Sequence, residues 1–468
     1  MNELMIELKT RNASPLYEQI YEYIKSEIQE GKLPFHEKLP STRLLAKNLQ
    51  ISRSTVDLAY EQLLSEGYIH SIPYKGYYVC QIEGLYHISQ VQEIREYEKE
   101  EDEDCIQYDF SPNGIDLEHF PYNAWKKITK NTLMDDNREL FQLGSPLGET
   151  ALRTTISNYL HQARGVNCSS DQIILGAGND YLLMVLSQII GSGHSIAMEN
   201  PTYKQAYNTF VNLKFKVNCI GLNENGINIE ELEDTDSSIA YVMPSHQFPL
   251  GIVMPIKRRM ELLNWASKEK NRYIIEDDYD SEFRYKGKPI PSLQGYDIND
   301  RVIYLGTFSK SIAPAIRVSY MVLPKKLISS YYNSGFYAST VSRIDQAILD
   351  NFIKEGYYER HLNKMRKIYK NKHDVLLNEL KSIHNIIGIT GENAGVHVLI
   401  HFPKEIKEEN LIEKAKKQSV KVYGLSKYYI EDKNLDHTII ILGYASLTEE
   451  DIKEAVERLR RAWGYQSL

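Results

Sequence analysis

The sequence predicts a multi-domain fold, in which a small α+β unit of three helices and a hairpin precedes a large α/β domain that carries a smaller α+β subdomain. Three observations point there. A chain of 468 residues is longer than one ordinary core organises. Residues 14–79 show apolar residues at helical spacing, interrupted by capping residues at short intervals. After about Asp109 the pattern changes to short apolar runs, "QIILG", "SIAMEN", "SSIAYVMP", "RYIIEDD" and "RVIYLGTFS", separated by helical stretches. Strands spaced this way belong to a largely parallel sheet.

In the first unit, Ser14 is placed to cap a helix with Pro15 in its first turn, where the missing N–H does no harm. Leu16, Ile20, Ile24 and Ile28 follow at four-residue spacing, and Gly31 closes the helix. A second helix starts at Ser41 and turns Leu44, Leu45 and Leu49 inward. A third starts near Ser52, carries Val56, Ala59, Tyr60, Leu63 and Leu64, and stops at Gly67. "YIHSIPYKGYYV" then alternates as a hairpin that turns at Lys75-Gly76. The charge-rich "QVQEIREYEKEEDED" has little to bury and reads as a linker. The domains are therefore set at 1–80, a linker at 81–109, and 110–468, with "GVHVLIHF" and "TIIILGYA" in a small subdomain at about 335–468.

Composition excludes several classes. The net charge is −8 at pH 7, and no apolar run reaches the roughly 18 residues of a membrane helix. The start "MNELMIELKT" lacks a secretion signal's basic and apolar regions. Cys80, Cys105, Cys168 and Cys219 form no CxxC pair, which argues against a zinc site or disulfide frame and fits a reducing cytoplasm. No metal and no membrane contact are expected. Acids and bases nearly cancel over the first eighty residues, so binding to nucleic acid has to rest on a local pattern.

That pattern is present. Two short helices joined by a tight turn and followed by a hairpin make a winged helix-turn-helix, whose second helix enters the major groove by its N-terminal end. Here that end reads Ser52, Arg53, Ser54, Thr55. Arginine pairs with guanine, and hydroxyls suit phosphates and base edges. Arg43 and the wing-tip Lys75 would add phosphate contacts. A protein-interaction module is the alternative for the bare pattern.

In the large domain, Lys310 stands between two serines in "GTFSKSIAPAIR", after an apolar run. Buried lysines are rare unless the charge is lost or paired. Asp277 and Tyr279 lie two apart on an extended segment, so they point the same way. "GAGNDYLLMVL" opens a helix with small residues, a cradle for a phosphate, and Tyr203 follows a proline turn. Singly these have ordinary explanations: a turn cap for Asp277, core for Tyr203, a surface ion pair for Arg317. Jointly they are the parts that pyridoxal 5′-phosphate (PLP) requires. Lys310 would form a Schiff base with the aldehyde, Asp277 would pair with the pyridine nitrogen, and Tyr279 would bond to the ring hydroxyl. Tyr203 would stack on the ring. Gly178, Asn179, Thr307, Ser309 and Arg317 would hold the phosphate.

"SPLYEQIYEYIKSEI…LPSTRLLAKNLQISRSTVDLAYEQLLSEGYI…KGYYV" closely resembles the DNA-binding domain of GntR-family regulators. The resemblance implies that Arg43, Ser52, Arg53 and Thr55 face DNA. Residues 110–465, with "TFSK", "IEDDYDSEFRY" and Arg317, resemble fold-type I aminotransferases. The resemblance gives Lys310, Asp277, Tyr279 and Arg317 the roles assigned above. The usual "NPTG" appears as "HQFPLG", so Phe248 stands where an asparagine is expected, and His246 and Gln247 are the candidate replacements. The whole chain is similar to the MocR-type regulators, which implies a cytoplasmic head-to-tail homodimer bound to a double-stranded DNA operator. It also implies an amino acid or ω-amino acid effector sensed by exchange with Lys310. In a γ-aminobutyrate-responsive member two arginines hold the effector carboxylate; Gln205, beside Lys204, and Lys427 stand at those places here. Lys204 and Lys427 are the expected weaker anchors. The alternative is a working aminotransferase with an appended DNA-binding domain, and residual half-transamination is compatible with either.

Overall fold

The computed structural model describes residues 6, 8, 14–81, 106–134, 138–191, 193–285, 290–333, 335, 339–383, 385–392, 394–431 and 437–464. They belong to two compact units, Met1–Asp102 and Glu103–Leu468. Most of the expected linker, residues 82–105, lies outside the described residues.

The first unit contains α1 (Leu16–Gln29), α2 (Thr42–Leu49), α3 (Arg53–Ser65) and an antiparallel hairpin of β1 (Ile69–Ile72) and β2 (Gly76–Val79). Ile20, Ile24, Ile28, Leu45, Val56, Ala59, Tyr60 and Leu63 form its core. Ser41 and Ser52 cap α2 and α3 by accepting from Leu44 N and Thr55 N. Three local expectations need correction. Pro15, not Ser14, is the N-cap of α1, and Ser14 instead offers its carbonyl to Gln19 Nε2 (2.6 Å). Leu44 is 42% exposed: with Leu45 facing inward, its neighbour lies about 100° around the helix. The hairpin turns through Pro73–Lys75, with Ile72 opposite Gly76 and Tyr74 in the left-handed region (φ 63°).

In the second unit, β3 (Tyr108–Asp109), α4 (Tyr122–Met134) and α5 (Thr150–Arg164) precede the main sheet. The sheet is built from β4 (Ile173–Gly176), β5 (Ser195–Asn200), β6 (Lys216–Asn223), β7 (Gly226–Ile227), β8 (Ile239–Val242), β9 (Tyr273–Asp278), β10 (Val302–Thr307) and β11 (Ser319–Val322). Their order is β4-β11-β10-β9-β8-β5-β6-β7. Strands β10, β9, β8, β5 and β6 run parallel, while β11 is antiparallel to both of its neighbours. The sheet is buried on both faces: Leu175, Tyr304 and Val322 join one apolar cluster, and Ile174, Ile303 and Met321 join another. Such strands read as continuous apolar runs rather than alternating ones. The crossovers carry α6 (Asn179–Ile190), α7 (Lys204–Asn212), α8 (Ile229–Glu233) and α9 (Ile256–Ser267). Helices α10 (Lys325–Asn333), α11 (Arg343–Lys354) and α12 (Tyr357–Leu380) lead to the small subdomain.

That subdomain is an antiparallel sheet of β12 (Gly388–Thr390), β13 (His397–Pro403), β15 (Tyr423–Gly424) and β16 (His437–Gly443), with α13 (Glu408–Lys416) and α14 (Glu449–Trp463). A separate strand, β14 (Val420–Lys421), pairs in parallel with β3, so the segment that follows the linker is stitched to the far end of the chain.

A buried ion pair makes a second stitch. Lys372 Nζ, on α12, donates to Asp116 Oδ2 (2.7 Å) and to Ala445 O (2.8 Å), and His119 Nδ1 lies 2.9 Å from the same carboxylate oxygen. Burial raises the proton affinity of Asp116, but Lys372 and His119 outweigh it and hold the carboxyl below its ordinary value. This stabilisation is present above the ordinary carboxyl range and is lost as pH falls through the depressed value. Asp116→Ala strands a buried ammonium and is expected to cost about 3–5 kcal/mol in urea unfolding at neutral pH. A loss under 1 kcal/mol would contradict the pinning role.

Candidate cofactor site and nucleic-acid interface

Five strands deliver side chains to one cavity of about 160 Å³ at the C-terminal edge of the parallel sheet, where open α/β sheets bind their ligands. Gly178 and Asn179 come from the turn after β4, Tyr203 and Gln205 from the segment after β5, and Met243 and Phe248 from beyond β8. Asp277 and Tyr279 come from the end of β9, and Thr307, Ser309 and Lys310 from the end of β10. Arg317, Asn113 and Asp180 complete the lining used below.

Strand parity explains the β9 contribution. Asp277 and Tyr279 both line the cavity, whereas Asp278 turns to the opposite face and accepts from Arg164 Nε (2.8 Å) and Tyr304 OH (2.5 Å). Buried Glu276 also turns away, accepting from Leu293 N and Gln294 N. Asp277 accepts hydrogen bonds from Tyr241 OH and from Asn179 Nδ2 (3.4 Å). Burial pushes its carboxyl up to about 7 against the Tyr241 hydrogen bond. A cationic N–H partner would reverse that shift by stabilising the charged form. Tyr241 was not foreseen, although it shares strand parity with the cavity-lining Met243. Tyr241→Phe removes a bond to a charged acceptor worth about 1.5–3 kcal/mol. It is therefore expected to weaken cofactor binding about tenfold or more in an absorbance titration; unchanged affinity would remove Tyr241 from the site.

Lys310 Nζ donates to Pro112 O (3.2 Å) and Asn113 Oδ1 (3.3 Å). Burial lowers its pKa to about 8, opposed by the field of Asp280, so about a tenth of the amine is neutral and nucleophilic at pH 7, far more than for an ordinary lysine. Nothing in "SPNG" marks Asn113 for this role; the stitch of β3 to β14 precedes it in the chain.

At the other end of the cavity the Arg317 guanidinium donates to Ala177 O (2.9 Å). Gly178 has φ +108°, and a Cβ there would fall 2.3 Å from Arg317 Nη2, so glycine lets the guanidinium approach the backbone. Thr307 Oγ1 accepts from Ser309 N (3.1 Å) and Ser319 Oγ (2.9 Å). Asn179 Oδ1 is buried without a hydrogen-bond partner.

Phe248 occupies the slot of the expected asparagine. Its ring meets Tyr203, Tyr279, His397 and Tyr428 edge-on at centroid distances of 5.1–6.2 Å. Neither candidate replacement lines the cavity. Gln247 spends its amide on Pro201 O, Phe248 O and Leu250 N, bracing the loop. His246 Nδ1 lies 2.9 Å from both Tyr279 OH and Asp280 Oδ2, behind the phenol. Of the three expected effector contacts, Gln205 reaches the cavity, whereas half-buried Lys204 and exposed Lys427 do not line it.

In the first unit the start of α3 is open to solvent. Arg53 and Arg43 are exposed, as are Ser52 and the wing residue Lys75, and Thr55 is half-buried. Among the described residues, Arg53 is held only by Asp57, one turn along (3.4 Å). Ser52 Oγ lies 2.7 Å from Ser54 Oγ and 3.0 Å from Thr55 Oγ1 as well as capping the helix.

Comparison with known proteins identifies both parts. The family described as "Aminotransferase class I and II" matches residues 106–459, and "Bacterial regulatory proteins, gntR family" matches residues 16–79. The HTH-type transcriptional regulator YdeL of Bacillus subtilis is 41% identical over 96% of this chain and 97% of its own. The probable rhizopine catabolism regulatory protein MocR of Rhizobium meliloti is 30% identical over 96% of this chain and 94% of its own. The chain belongs to the MocR-type regulators. Among solved structures, the multiple substrate aminotransferase of Thermococcus profundus superposes on this MocR-type regulator with a TM-score of 0.69 at 26% identity, covering 78% of this chain and 92% of the other. The Pyrococcus horikoshii kynurenine aminotransferase, solved with PMP, gives 0.67 at 26% identity, covering 77% and 91%. This MocR-type regulator is thus a DNA-binding transcription regulator whose large domain has the fold-type I aminotransferase fold and uses PLP. The cavity fits that cofactor: an unpartnered amide oxygen, a guanidinium over a side-chain-free cradle, a buried carboxylate and an amine all face into it. No described helix is long and apolar enough to cross a membrane.

Proposed function

We propose that this regulator senses a primary amine or amino acid by letting it displace Lys310 from PLP, and that the exchange is transmitted to operator binding. The observation that supports this reading best is the convergence of Lys310, Asp277, Tyr279, Arg317 and the Gly178–Asn179 turn on one cavity, in a chain that also presents Arg53 at an open helix end. When bound, PLP supplies an aldehyde that a lysine or effector amine captures and a ring that serves as an electron sink.

The chain's own groups divide the remaining work. Lys310, partly neutral near pH 7, is the covalent anchor and, once released, a proton carrier at Nζ. Asp277, oriented by Tyr241, pairs with the pyridine nitrogen. Tyr279, backed by His246, faces the ring hydroxyl, and Tyr203 covers a ring face. Gly178, Asn179, Thr307, Ser309 and Arg317 hold the phosphate. On the DNA side, Ser52, Arg53 and Thr55 read the major groove while Arg43 and Lys75 contact phosphates.

The regulator works as a head-to-tail homodimer in the cytoplasm. Leu117, Tyr122, Leu133, Met134, Phe141 and Leu143 are all exposed in one stretch of chain, and a partner subunit that covers them would remove this apolar surface from water. Sedimentation at micromolar concentration is expected to show a dimer; a monomer there would contradict this.

Amine titration of the PLP-loaded protein, followed by visible absorbance, tests the sensing reading. A saturable change that Lys310→Ala abolishes is expected. Absence of change with every amine, while the cofactor band is present, would overturn it. Multiple-turnover transfer to a keto acid would favour a working aminotransferase instead.

A further inference from the structure

The wall of the cavity that continues from the Gly178–Asn179 turn carries its own chemical signature. Tyr203 OH donates to Gln205 Oε1 (3.0 Å), and Gln205 Nε2 donates to Asp180 Oδ2 (2.6 Å). All three residues line the same cavity as Lys310. The polar group on this wall is therefore an acid, and the neighbouring amide is turned towards that acid rather than into the cavity. Like charges repel and opposite charges attract across a space of this size, so Asp180 favours an incoming ammonium and disfavours a carboxylate.

The adjoining wall is aromatic and apolar. Phe248 lies edge-on to Tyr203, Tyr279, His397 and Tyr428. Behind Tyr428 the packing continues into Leu250, Leu399, Leu425, Ile439 and Ile441. A carboxylate placed against this surface would lose its water without gaining a donor, whereas an alkyl or ring substituent would bury apolar area. Among the described lining residues the cations are Lys310, which the exchange itself uses, and Arg317, which is turned to Ala177 O at the phosphate end.

We infer that the effector is a primary amine without a carboxylate, its charge favoured by the field of Asp180 and its apolar remainder seated on Phe248. This rests on the sensing reading above and narrows it: an ω-amino acid is the poorer ligand, and Lys204 and Lys427 are not its anchors.

The test uses two amines of similar length and basicity, n-butylamine and γ-aminobutyrate, titrated separately into the full-length PLP-loaded protein at fixed pH and ionic strength. Half-saturation of the visible spectral change is expected at a concentration at least tenfold lower for n-butylamine. Asp180→Asn, which keeps a hydrogen-bonding partner for Gln205, is expected to narrow that gap by weakening n-butylamine and strengthening γ-aminobutyrate. Tighter binding of γ-aminobutyrate to the unaltered protein would overturn the inference while leaving amine sensing intact. A gap that Asp180→Asn leaves unchanged would overturn the role of Asp180. No spectral response to either amine or to any other, with the cofactor band present, would overturn the sensing reading and this inference with it.

Discussion

Replacing Lys310 by alanine is expected to abolish the visible absorbance of lysine-bound cofactor and every amine-induced change in it. The phosphate grip proposed for Arg317, Gly178 and Asn179 is untouched, so the variant is expected still to bind PLP, but only by reversible contacts that dialysis removes. The unaltered amine also sets a pH dependence. With its pKa near 8, the neutral fraction of Lys310, and so the rate of covalent PLP capture by apo-protein, rises about tenfold per pH unit below that value and levels above it. Stopped-flow absorbance reads this directly; a rate still climbing above pH 9 would show that the amine is not depressed. The same shift acts on stability. Lys310 has a folded pKa below its ordinary 10.5, so between about pH 8 and 10.5 the unfolded chain binds the extra proton. Apo-protein stability from this group therefore rises with pH across that window.

Arg53→Ala is expected to weaken specific operator binding by roughly 10–100-fold, the equivalent of a lost bidentate base contact of about 1–3 kcal/mol. The fold should tolerate it. Arg53 is exposed and its only described ion pair is with Asp57 on the same helix, a kind of pair worth about 0.3–0.5 kcal/mol. Gel-shift titration with operator and with unrelated DNA separates the two effects: specific affinity falls, while non-specific affinity falls far less. Equal losses on both DNAs would make Arg53 a phosphate contact, and no loss would remove it from the interface.

Much of this was legible in the sequence because the responsible forces are local. Ser41 and Ser52 announce two helix starts, since a hydroxyl before an apolar helical pattern has an orphan N–H to satisfy. The apolar runs ending in "DDYD" and "TFSK" gave the strands, and period-two alternation placed Asp277 and Tyr279 on one side. What escaped depends on non-local packing. Tyr241 and Asp277 meet because β8 and β9 lie side by side in parallel, and Asn113 reaches Lys310 from a segment 197 residues earlier. Leu44 and Leu45 are equally apolar, and only the packing of α2 decides which one turns inward. The loss of the "NPTG" asparagine was visible, but whether His246, Gln247 or neither replaced it was not. Gln247 is consumed by its own loop and His246 by Tyr279 and Asp280, facts that exist only once the loop is folded. Lys204 and Lys427 look like carboxylate anchors by charge, yet charge in sequence does not say which way a side chain faces.

If chemistry at Lys310 governs what the reader domain does on DNA, linkage makes the coupling measurable. The most direct measurement records visible absorbance and operator binding, by footprint and affinity, in one titration of PLP-loaded protein with an amine that saturates the spectrum. Affinity or footprint is expected to change with the same half-saturation as the absorbance, and both responses are expected to vanish in Lys310→Ala. Full spectral saturation with operator affinity and footprint unaltered would contradict that coupling.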